Sequence, residues 1–300
     1  MIQGVNVAAV TPRRANTDGI DLAASLELID FLSKSGVKGI ALLGSTGEFS
    51  HFDIPDRVRL TQFAVKRSRV PVVVNVSHSC ADGALVLARE AASSGAAALL
   101  LMPPYFFRYS REDVAAFFQY FMSEFEASTP VFLYNVPFFT NEIAPETAEE
   151  ILRSGLYAGI KDSSGVIATM QRMIAIKESR PLTVLVGNDS IFAEAIMAGA
   201  DGVISGVGCA LPELMLAIHR AIAAADTKRV EKLNRRLLEF IAWIDSFPTP
   251  IGVREAVAAR GLKTGPHATP LGAQTERKLA EFREWFQGWL PELLKETSGA

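Results

Sequence analysis

A lysine at the end of an apolar stretch is the residue of this sequence with the clearest chemical potential. Lys161 follows residues 157–160, Tyr-Ala-Gly-Ile, where burial would disfavour the charged ammonium. A partly neutral lysine can attack a ketone and form a Schiff base, whose iminium is an electron sink for carbon–carbon bond cleavage or formation. The alternative is a lysine that ion-pairs at the strand end, for example with Asp162, and this is the commoner role for a lysine outside a motif.

A tyrosine at the end of the preceding apolar stretch suits the same chemistry. Tyr134 opens the segment 134–137, Tyr-Asn-Val-Pro, and neighbouring strands lie about 4.8 Å apart. If both side chains point inward, the phenol can move protons to and from the carbinolamine that precedes a Schiff base. The alternative is a tyrosine that caps the core with a bonded hydroxyl.

A third candidate is the loop 44–48, Gly-Ser-Thr-Gly-Glu. The hydroxyls of Ser45 and Thr46, together with flexible backbone amides such as that of Gly47, are suited to holding a carboxylate. The loop is not a phosphate-binding P-loop, because no Gly-Lys-Ser/Thr follows. Glu48 is interpreted as a structural partner of a helix start.

The elements that must position these residues follow a weak internal repeat. Four times a helix-like segment ends in a glycine and an apolar run follows at once, at Gly36, Gly95, Gly155 and Gly199. Eight strands are predicted near residues 4–10, 38–43, 71–76, 97–102, 130–135, 157–161, 182–187 and 201–205. Alternating with helices, they predict a (β/α)8 TIM barrel, with chemistry at the carboxyl ends of the strands. A doubly wound sheet is the alternative, but no glycine-rich nucleotide turn follows the first strand.

Strand signals stop after residue 225, so a C-terminal helical appendage is predicted. Helices are expected over about 227–247, 252–260 and 274–294, each with an apolar stripe typical of core packing. The predicted domains are therefore a catalytic barrel over 1–225 and a helical domain over 226–300.

Composition narrows the class of partner. The chain has 300 residues, 49% of them hydrophobic, and a net charge of −3, which gives no reason to expect nucleic acid or an anionic membrane. No segment approaches the length of a membrane span and no signal peptide is evident. With Cys80 and Cys209 as its only cysteines, the protein is predicted to be cytoplasmic. Its four histidines show no ligand spacing, so no metal is predicted, although His78 follows the third strand and could line the site.

Taken together, the motifs resemble the dihydrodipicolinate synthase / N-acetylneuraminate lyase family of class I, pyruvate-type aldolases. The resemblance covers nearly the whole chain in order. It rests on residues 4–12, 44–48, 134–137, 159–162, 187–189 and 202–205, and on Pro-Thr-Pro-Ile at 248–251.

The resemblance implies specific roles for the site residues. Lys161 would form the Schiff base, Tyr134 would relay protons, and Ser45 would assist as a catalytic hydroxyl. The other expected substrate contacts are Ser45 itself, Thr46, Gly47, Ile204 through its carbonyl, Gly187, Asp189 and Phe139. The family further implies no metal or organic cofactor, and a homo-oligomer assembled as a dimer of dimers.

Two departures bear on the substrate. The family's synthases usually carry an arginine where this chain has Phe139, and that arginine binds the carboxylate of the aldehyde substrate. They also place a tyrosine where our preferred alignment puts Phe106, although a shift of one residue would put Tyr105 there. Phenylalanine can neither relay a proton nor bind a carboxylate. Phe139 and Phe138 are expected to shape an apolar-walled entrance, whereas Ser163 and Asp189 match positions where neuraminate lyases contact a polyol tail.

The predicted function is a Schiff-base lyase acting on pyruvate or another 2-oxo acid. The reaction would be aldol cleavage or condensation, or dehydration of a 2-keto-3-deoxy sugar acid. One alternative is a genuine 4-hydroxy-tetrahydrodipicolinate synthase, which condenses pyruvate with aspartate semialdehyde. An alternative of another class is a non-catalytic 2-oxo acid sensor, which would need neither Lys161 nor Tyr134.

Overall fold

The fold is built on eight parallel strands, as the sequence pattern predicts. The computed structural model describes residues 2–15 and 19–298. Within them the strands are β1 (Gly4–Ala8), β2 (Gly39–Leu42), β3 (Val72–Asn75), β4 (Ala98–Leu101), β5 (Val131–Asn135), β6 (Gly159–Asp162), β7 (Thr183–Val186) and β8 (Gly202–Ser205). The first is shorter than expected, since it ends at Ala8 instead of residue 10.

The strands close into a barrel in sequence order, so the predicted (β/α)8 architecture is confirmed. Closure is made by β1 and β8, where Val5 lies opposite Val203. Nearly every strand residue is buried, because strands covered on both faces must be apolar on both. This burial explains why the strands appear in the sequence as short continuous apolar runs.

Helices alternate with the strands around the barrel. They are α1 (Leu22–Lys34), α2 (Ile54–Arg67), α3 (Ala81–Ser93), α4 (Arg111–Glu124), α5 (Pro145–Ser154), α6 (Ile167–Ala175), α7 (Phe192–Met197) and α8 (Pro212–Ala223). The predicted helix–glycine–strand repeat is present. Gly155, for example, ends α5 with φ of 90°, a left-handed conformation that glycine adopts without steric cost.

Three more helices follow the barrel, namely α9 (Thr227–Ile244), α10 (Ile251–Ala259) and α11 (Ala273–Ser298). The stripe of α9 is buried as expected, with Leu233, Leu237 and Phe240 almost inaccessible. Both α9 and α11 pack on barrel helix α8. The division of the chain into two domains at residue 225 therefore stays a prediction.

The helices differ in length and in apolar character. None within residues 2–15 and 19–298 combines the length and apolar character needed to cross a bilayer.

Candidate active site

A cavity of about 490 Å³ opens at the carboxyl ends of the barrel strands. Its floor and walls come from strand ends and the loops after them: Ser45, Thr46, Val136, Phe138, Phe139, Lys161, Ser163, Gly187, Asn188, Asp189, Ser190, Ile204, Gly206 and Val207. Seven of the nine predicted site residues thus line one cavity. Tyr134 and Gly47 are outside this lining, and both lie directly behind it.

Lys161 and Tyr134 lie side by side. They face each other in the register of β5 and β6, and the Lys161 Nζ is 4.1 Å from the centre of the Tyr134 ring. Lys161 is 3% exposed and Tyr134 is fully buried. The side chains therefore converge as the strand order predicts, within reach of a common reacting atom.

Asp162 does not pair with Lys161, so the ion-pair alternative is wrong. Successive residues of a strand point to opposite faces, and the Asp162 carboxylate turns outward. It accepts hydrogen bonds from Asn135 Nδ2 at 2.7 Å and from the Ser164 amide at 2.9 Å. Across the described residues, no carboxylate lies within ion-pair distance of the Lys161 ammonium.

The Tyr134 hydroxyl is held by Ser45. The two oxygens are 3.0 Å apart and hydrogen-bonded. Burial alone would raise the pKa of Tyr134, but the neighbouring Lys161 and the bond to Ser45 outweigh it, so the pKa falls below its ordinary value of 10.0. A phenol with a lowered pKa is better suited to exchange protons near neutral pH.

The loop 44–48 is tightly folded between β2 and the barrel mouth. Leu43, just before the loop, and Glu48, its last residue, have φ of 59° and 52°, a left-handed conformation that costs a side-chain-bearing residue roughly 1–2 kcal/mol. Gly47 packs so closely that an added Cβ would lie 2.8 Å from the Leu43 nitrogen. Its carbonyl accepts a 2.7 Å hydrogen bond from Thr11 Oγ1. The loop is therefore held in one shape from several sides.

Glu48 differs from its expected role at a helix start. Its side chain makes no capping hydrogen bond to the short 3-10 helix that follows. It is instead buried against Arg254 of α10, with 2.8 Å between Glu48 Oε2 and Arg254 Nη1. The loop is thus tied to the C-terminal helices.

Gly187 and Asp189 lie opposite the loop. A Cβ at Gly187 would come within 2.7 Å of Lys161 Cε and 2.2 Å of Ser163 Oγ, so only glycine leaves space beside the lysine. Asp189 Oδ2 accepts a 2.9 Å bond from the Val207 amide, while Oδ1 has no partner within the described chain. Burial raises the pKa of Asp189, against the effect of its hydrogen bonds.

The mouth of the cavity is aromatic. Phe138 and Phe139 are 72% and 57% exposed, and Phe106 and Phe107 on the loop after β4 are 86% and 65% exposed. Of these four, only Phe138 and Phe139 line the cavity. His78 does not line it, because its ring packs beside Gly83 and bonds to Cys80.

Comparisons with known proteins agree with this geometry. The model of the Dihydrodipicolinate synthetase family matches residues 1–287. The chain belongs to this family.

Two sequence relatives show the range of named activities within the family. The chain is 30% identical over 290 residues to a 4-hydroxy-tetrahydrodipicolinate synthase of Methanosphaerula palustris, covering 95% of this chain and 98% of the relative. It is 32% identical over 237 residues to an Escherichia coli protein named as a probable 2-dehydro-3-deoxy-D-pentonate aldolase, covering 77% and 78%. Membership supports an enzyme of the lyase type.

A solved structure of the family shares the fold closely. A prophage protein of the dihydrodipicolinic acid synthase family from E. coli K12, crystallised with pyruvate, superposes with a TM-score of 0.88 at 26% identity. The alignment covers 96% of this chain and 99% of that one. The family resemblance stated from the motifs is therefore confirmed.

Several cavity residues were missed by sequence reasoning. The end of α9 and the segment after it contribute Ile241, Ile244, Asp245, Thr249, Pro250, Gly252 and Val253 to the wall. The stripe of α9 predicts only packing. The prolines at 248 and 250, which interrupt the helical pattern just beyond it, were the available sign that the chain turns there.

Over residues 2–15 and 19–298, no group of three or more His, Cys, Asp or Glu side chains is arranged to hold a metal ion.

Proposed function

We propose that the protein is a Schiff-base lyase that acts on pyruvate or another 2-oxo acid. The observation that carries the proposal is the pairing of a buried Lys161 with Tyr134 at 4.1 Å, at the base of a cavity. A lysine amine in this position can act as the nucleophile towards a ketone. No carboxylate among the described residues pairs with it, so its position is not explained by an ion pair.

The chemistry can be written as a balanced sequence. Lys161 Nζ adds to the C2 ketone, Tyr134 passes a proton to the resulting hydroxyl, and water leaves to give the iminium. The Tyr134 phenolate takes a proton from C3 to give an enamine, whose C3 forms a bond to the carbonyl carbon of an aldehyde while Tyr134 returns the proton to the aldehyde oxygen. Water then hydrolyses the new iminium and frees the lysine. Aldol cleavage is the reverse, and dehydration diverges when the enamine expels the C4 hydroxyl, which leaves as water with the proton that Tyr134 took from C3.

Ser45 and Thr46 are proposed to hold the substrate carboxylate. Both line the cavity, and the fixed shape of their loop presents hydroxyls and amides together. Because Ser45 also bonds to Tyr134, carboxylate binding and proton transfer share one residue. The carbonyl of Ile204 and the space left by Gly187 complete the pocket around C2.

The far end of the cavity favours a substrate tail without a carboxylate. Across its lining, Lys161 is the only cationic side chain. Asp189 and Asp245 place carboxyl groups there, while Ser163 and Asn188 offer hydrogen bonds. A hydroxylated tail, as in a 2-keto-3-deoxy sugar acid, fits this surface, and Phe139 replaces the arginine expected for an anionic aldehyde.

The second candidate is a 4-hydroxy-tetrahydrodipicolinate synthase. The nearly full-length similarity to a protein of that name favours it. It requires another group to bind the carboxylate of aspartate semialdehyde in place of Phe139. The two candidates share the first half of the reaction and differ in the aldehyde.

We further propose a homo-oligomer without a metal or organic cofactor. The iminium itself is the electron sink, so the chemistry requires no other. Phe106 and Phe107 lie next to each other and are both largely exposed, and adjacent exposed apolar side chains often mark a protein–protein interface. A second copy of the chain packed at the barrel mouth would cover them. The two cysteines are free, which suits a cytoplasmic location.

Borohydride trapping tests the proposed function. The protein is incubated with pyruvate, reduced with borohydride and digested, and the adduct is located by mass spectrometry. We expect the pyruvate adduct on Lys161 and none in Lys161→Arg. Absence of an adduct would refute the mechanism and leave the sensor as the better account. Survival of the adduct in the variant would show that another amine reacts and would refute the role of Lys161.

A panel of aldehydes then separates the two enzymes. Condensation of pyruvate is followed with aspartate semialdehyde, glyceraldehyde and glycolaldehyde, and dehydration with 2-keto-3-deoxy sugar acids. We expect higher kcat/KM with a neutral hydroxylated substrate. Efficient turnover of aspartate semialdehyde would favour the synthase instead.

A further inference from the structure

We propose that Arg254 is a positioning residue that, through Glu48, holds the loop 44–48 in its carboxylate-binding shape. The inference rests on the proposed role of Ser45 and Thr46. It extends the site to a residue that does not line the cavity and that is separated from Glu48 by 206 positions in the sequence.

Arg254 is a buried charge with an extensive set of acceptors. The residue is 1% exposed. Its Nη1 donates to Glu48 Oε2 at 2.8 Å and to the Thr11 carbonyl at 3.0 Å. Its Nη2 donates to the carbonyls of Thr264 at 2.7 Å and Pro266 at 2.9 Å. One guanidinium therefore joins the loop, the segment after β1 and the C-terminal segment.

The loop needs such support because its backbone is strained. Leu43, which precedes the loop, and Glu48, which ends it, have left-handed φ angles, and strained conformations persist only where the surroundings fix them. The Glu48 amide donates to the Ser45 carbonyl at 3.1 Å, which closes the turn that carries the two hydroxyls. Thr11, the other residue that Arg254 contacts there, binds the carbonyl of Gly47. Arg254 thus touches both supports of the loop.

A small displacement of the loop would lower the rate of the proposed reaction. Ser45 is 3.0 Å from the Tyr134 hydroxyl, so movement of the turn disturbs both the carboxylate contact and the phenol. A misplacement of about 1 Å in an active site can cost on the order of a hundredfold in rate.

A second arginine on the same segment provides a matched control. Arg260, at the end of α10, binds Glu213 of α8 through both of its terminal nitrogens, at 2.8 and 2.7 Å, and also the Ala210 carbonyl at 2.9 Å. It therefore attaches the C-terminal segment to the barrel as Arg254 does. It makes no contact with the loop 44–48.

The test compares Arg254→Lys with Arg260→Lys. Each keeps the charge and removes the planar fork that serves several acceptors at once. Two quantities are measured in both variants and in the unaltered protein. The first is the pyruvate concentration that gives half-maximal borohydride trapping, and the second is the hydrogen-exchange rate of the amides of residues 43–49 without ligand.

We expect Arg254→Lys to raise the half-trapping concentration about tenfold, with the trapped fraction at saturation preserved. Its loop amides should exchange faster than those of the unaltered protein. Arg260→Lys should change neither quantity. Glu48→Gln, which keeps an acceptor but loses the charge-assisted bond, should shift both quantities in the same direction by less.

The proposal is overturned if Arg254→Lys matches Arg260→Lys in both measurements, or if Glu48→Gln leaves both at the unaltered values. Absence of trapping in the unaltered protein would refute the proposed function instead. In that case the exchange rates alone decide whether Arg254 holds the loop.

Discussion

Replacing Tyr134 with phenylalanine removes one oxygen from the centre of the proposed site. The ring stays, so the packing around Lys161 is kept and only the hydroxyl bonded to Ser45 is lost. Tyr157→Phe is a matched control. Tyr157 is also buried, and its hydroxyl donates to the Phe118 carbonyl at 2.8 Å, outside the cavity lining.

The contacts of the two hydroxyls determine the expected changes in stability and rate. Loss of one neutral hydrogen bond should lower the free energy of unfolding of Tyr134→Phe by about 1 kcal/mol, a shift in Tm of about 1.5 °C for a chain of 300 residues. Tyr157→Phe leaves a buried carbonyl without a donor and should cost about 1–3 kcal/mol. If Tyr134 transfers protons, its variant should lose about 10²–10⁴-fold in kcat, whereas Tyr157→Phe should keep its rate.

The assay is the rate of pyruvate condensation or aldol cleavage at saturating substrate, with Tm recorded for both variants. The pH profile adds a second check, because the pKa of Tyr134 lies below 10.0. A phenol acting as the acid loses its proton as pH rises through that pKa, so the rate should fall at a pH below 10.0, and this limb should vanish in Tyr134→Phe. Equal rates in the two phenylalanine variants would refute the role of Tyr134.

Three further predictions follow from the cavity and the C-terminal helices. Phe139→Arg adds a cation at the exposed mouth. It should raise the kcat/KM for aspartate semialdehyde relative to that for glyceraldehyde about tenfold; an unchanged ratio would show that residue 139 does not select between anionic and neutral aldehydes. Gly187→Ala, whose Cβ would clash with Lys161 Cε, should slow trapping strongly, whereas Gly288→Ala, with open space around it, should not. Burial would raise the pKa of Glu255, but His267 and Arg283 lower it from 4.5 to about 2. Glu255 therefore stabilises the fold above pH 4.5, and that stability is lost as pH falls towards 2. The free energy of unfolding, measured by urea at a series of pH values, should not show this loss in Glu255→Gln. The same pH dependence in the variant and the unaltered protein would contradict the pairing.

Much of the barrel could be predicted because its signals are local. Each strand is a short apolar run, and four of the runs follow a helix that ends in glycine. The pairing of Lys161 with Tyr134 follows from the same logic, since consecutive strands of a barrel are neighbours and their carboxyl ends lie on one face. Strand ends and helix limits were wrong by a few residues; α9, for instance, stops at Ile244 instead of residue 247, because helix ends depend on tertiary contacts.

The contribution of the C-terminal helices could not be predicted from the same signals. The apolar stripe of α9 shows that one face is buried, but it does not show that Asp245 at its end meets the barrel mouth. The pair of Glu48 and Arg254 depends on two segments that are far apart in sequence, and a single sequence holds no record of their contact. Glu48 was therefore interpreted by its local position, which predicts a contact at the helix start. In the structure its side chain forms the long-range ion pair with Arg254 instead.

The distance along the chain between Glu48 and Arg254 has a consequence for synthesis. All eight strands are complete by Ser205, so a nascent chain can contain every barrel strand and both Lys161 and Tyr134 while the arginine that fixes the loop is still untranslated. The loop would then reach its fixed shape only after Arg254 has been synthesised, and a chain that terminates before residue 254 would contain Lys161 and Tyr134 beside an unsupported loop.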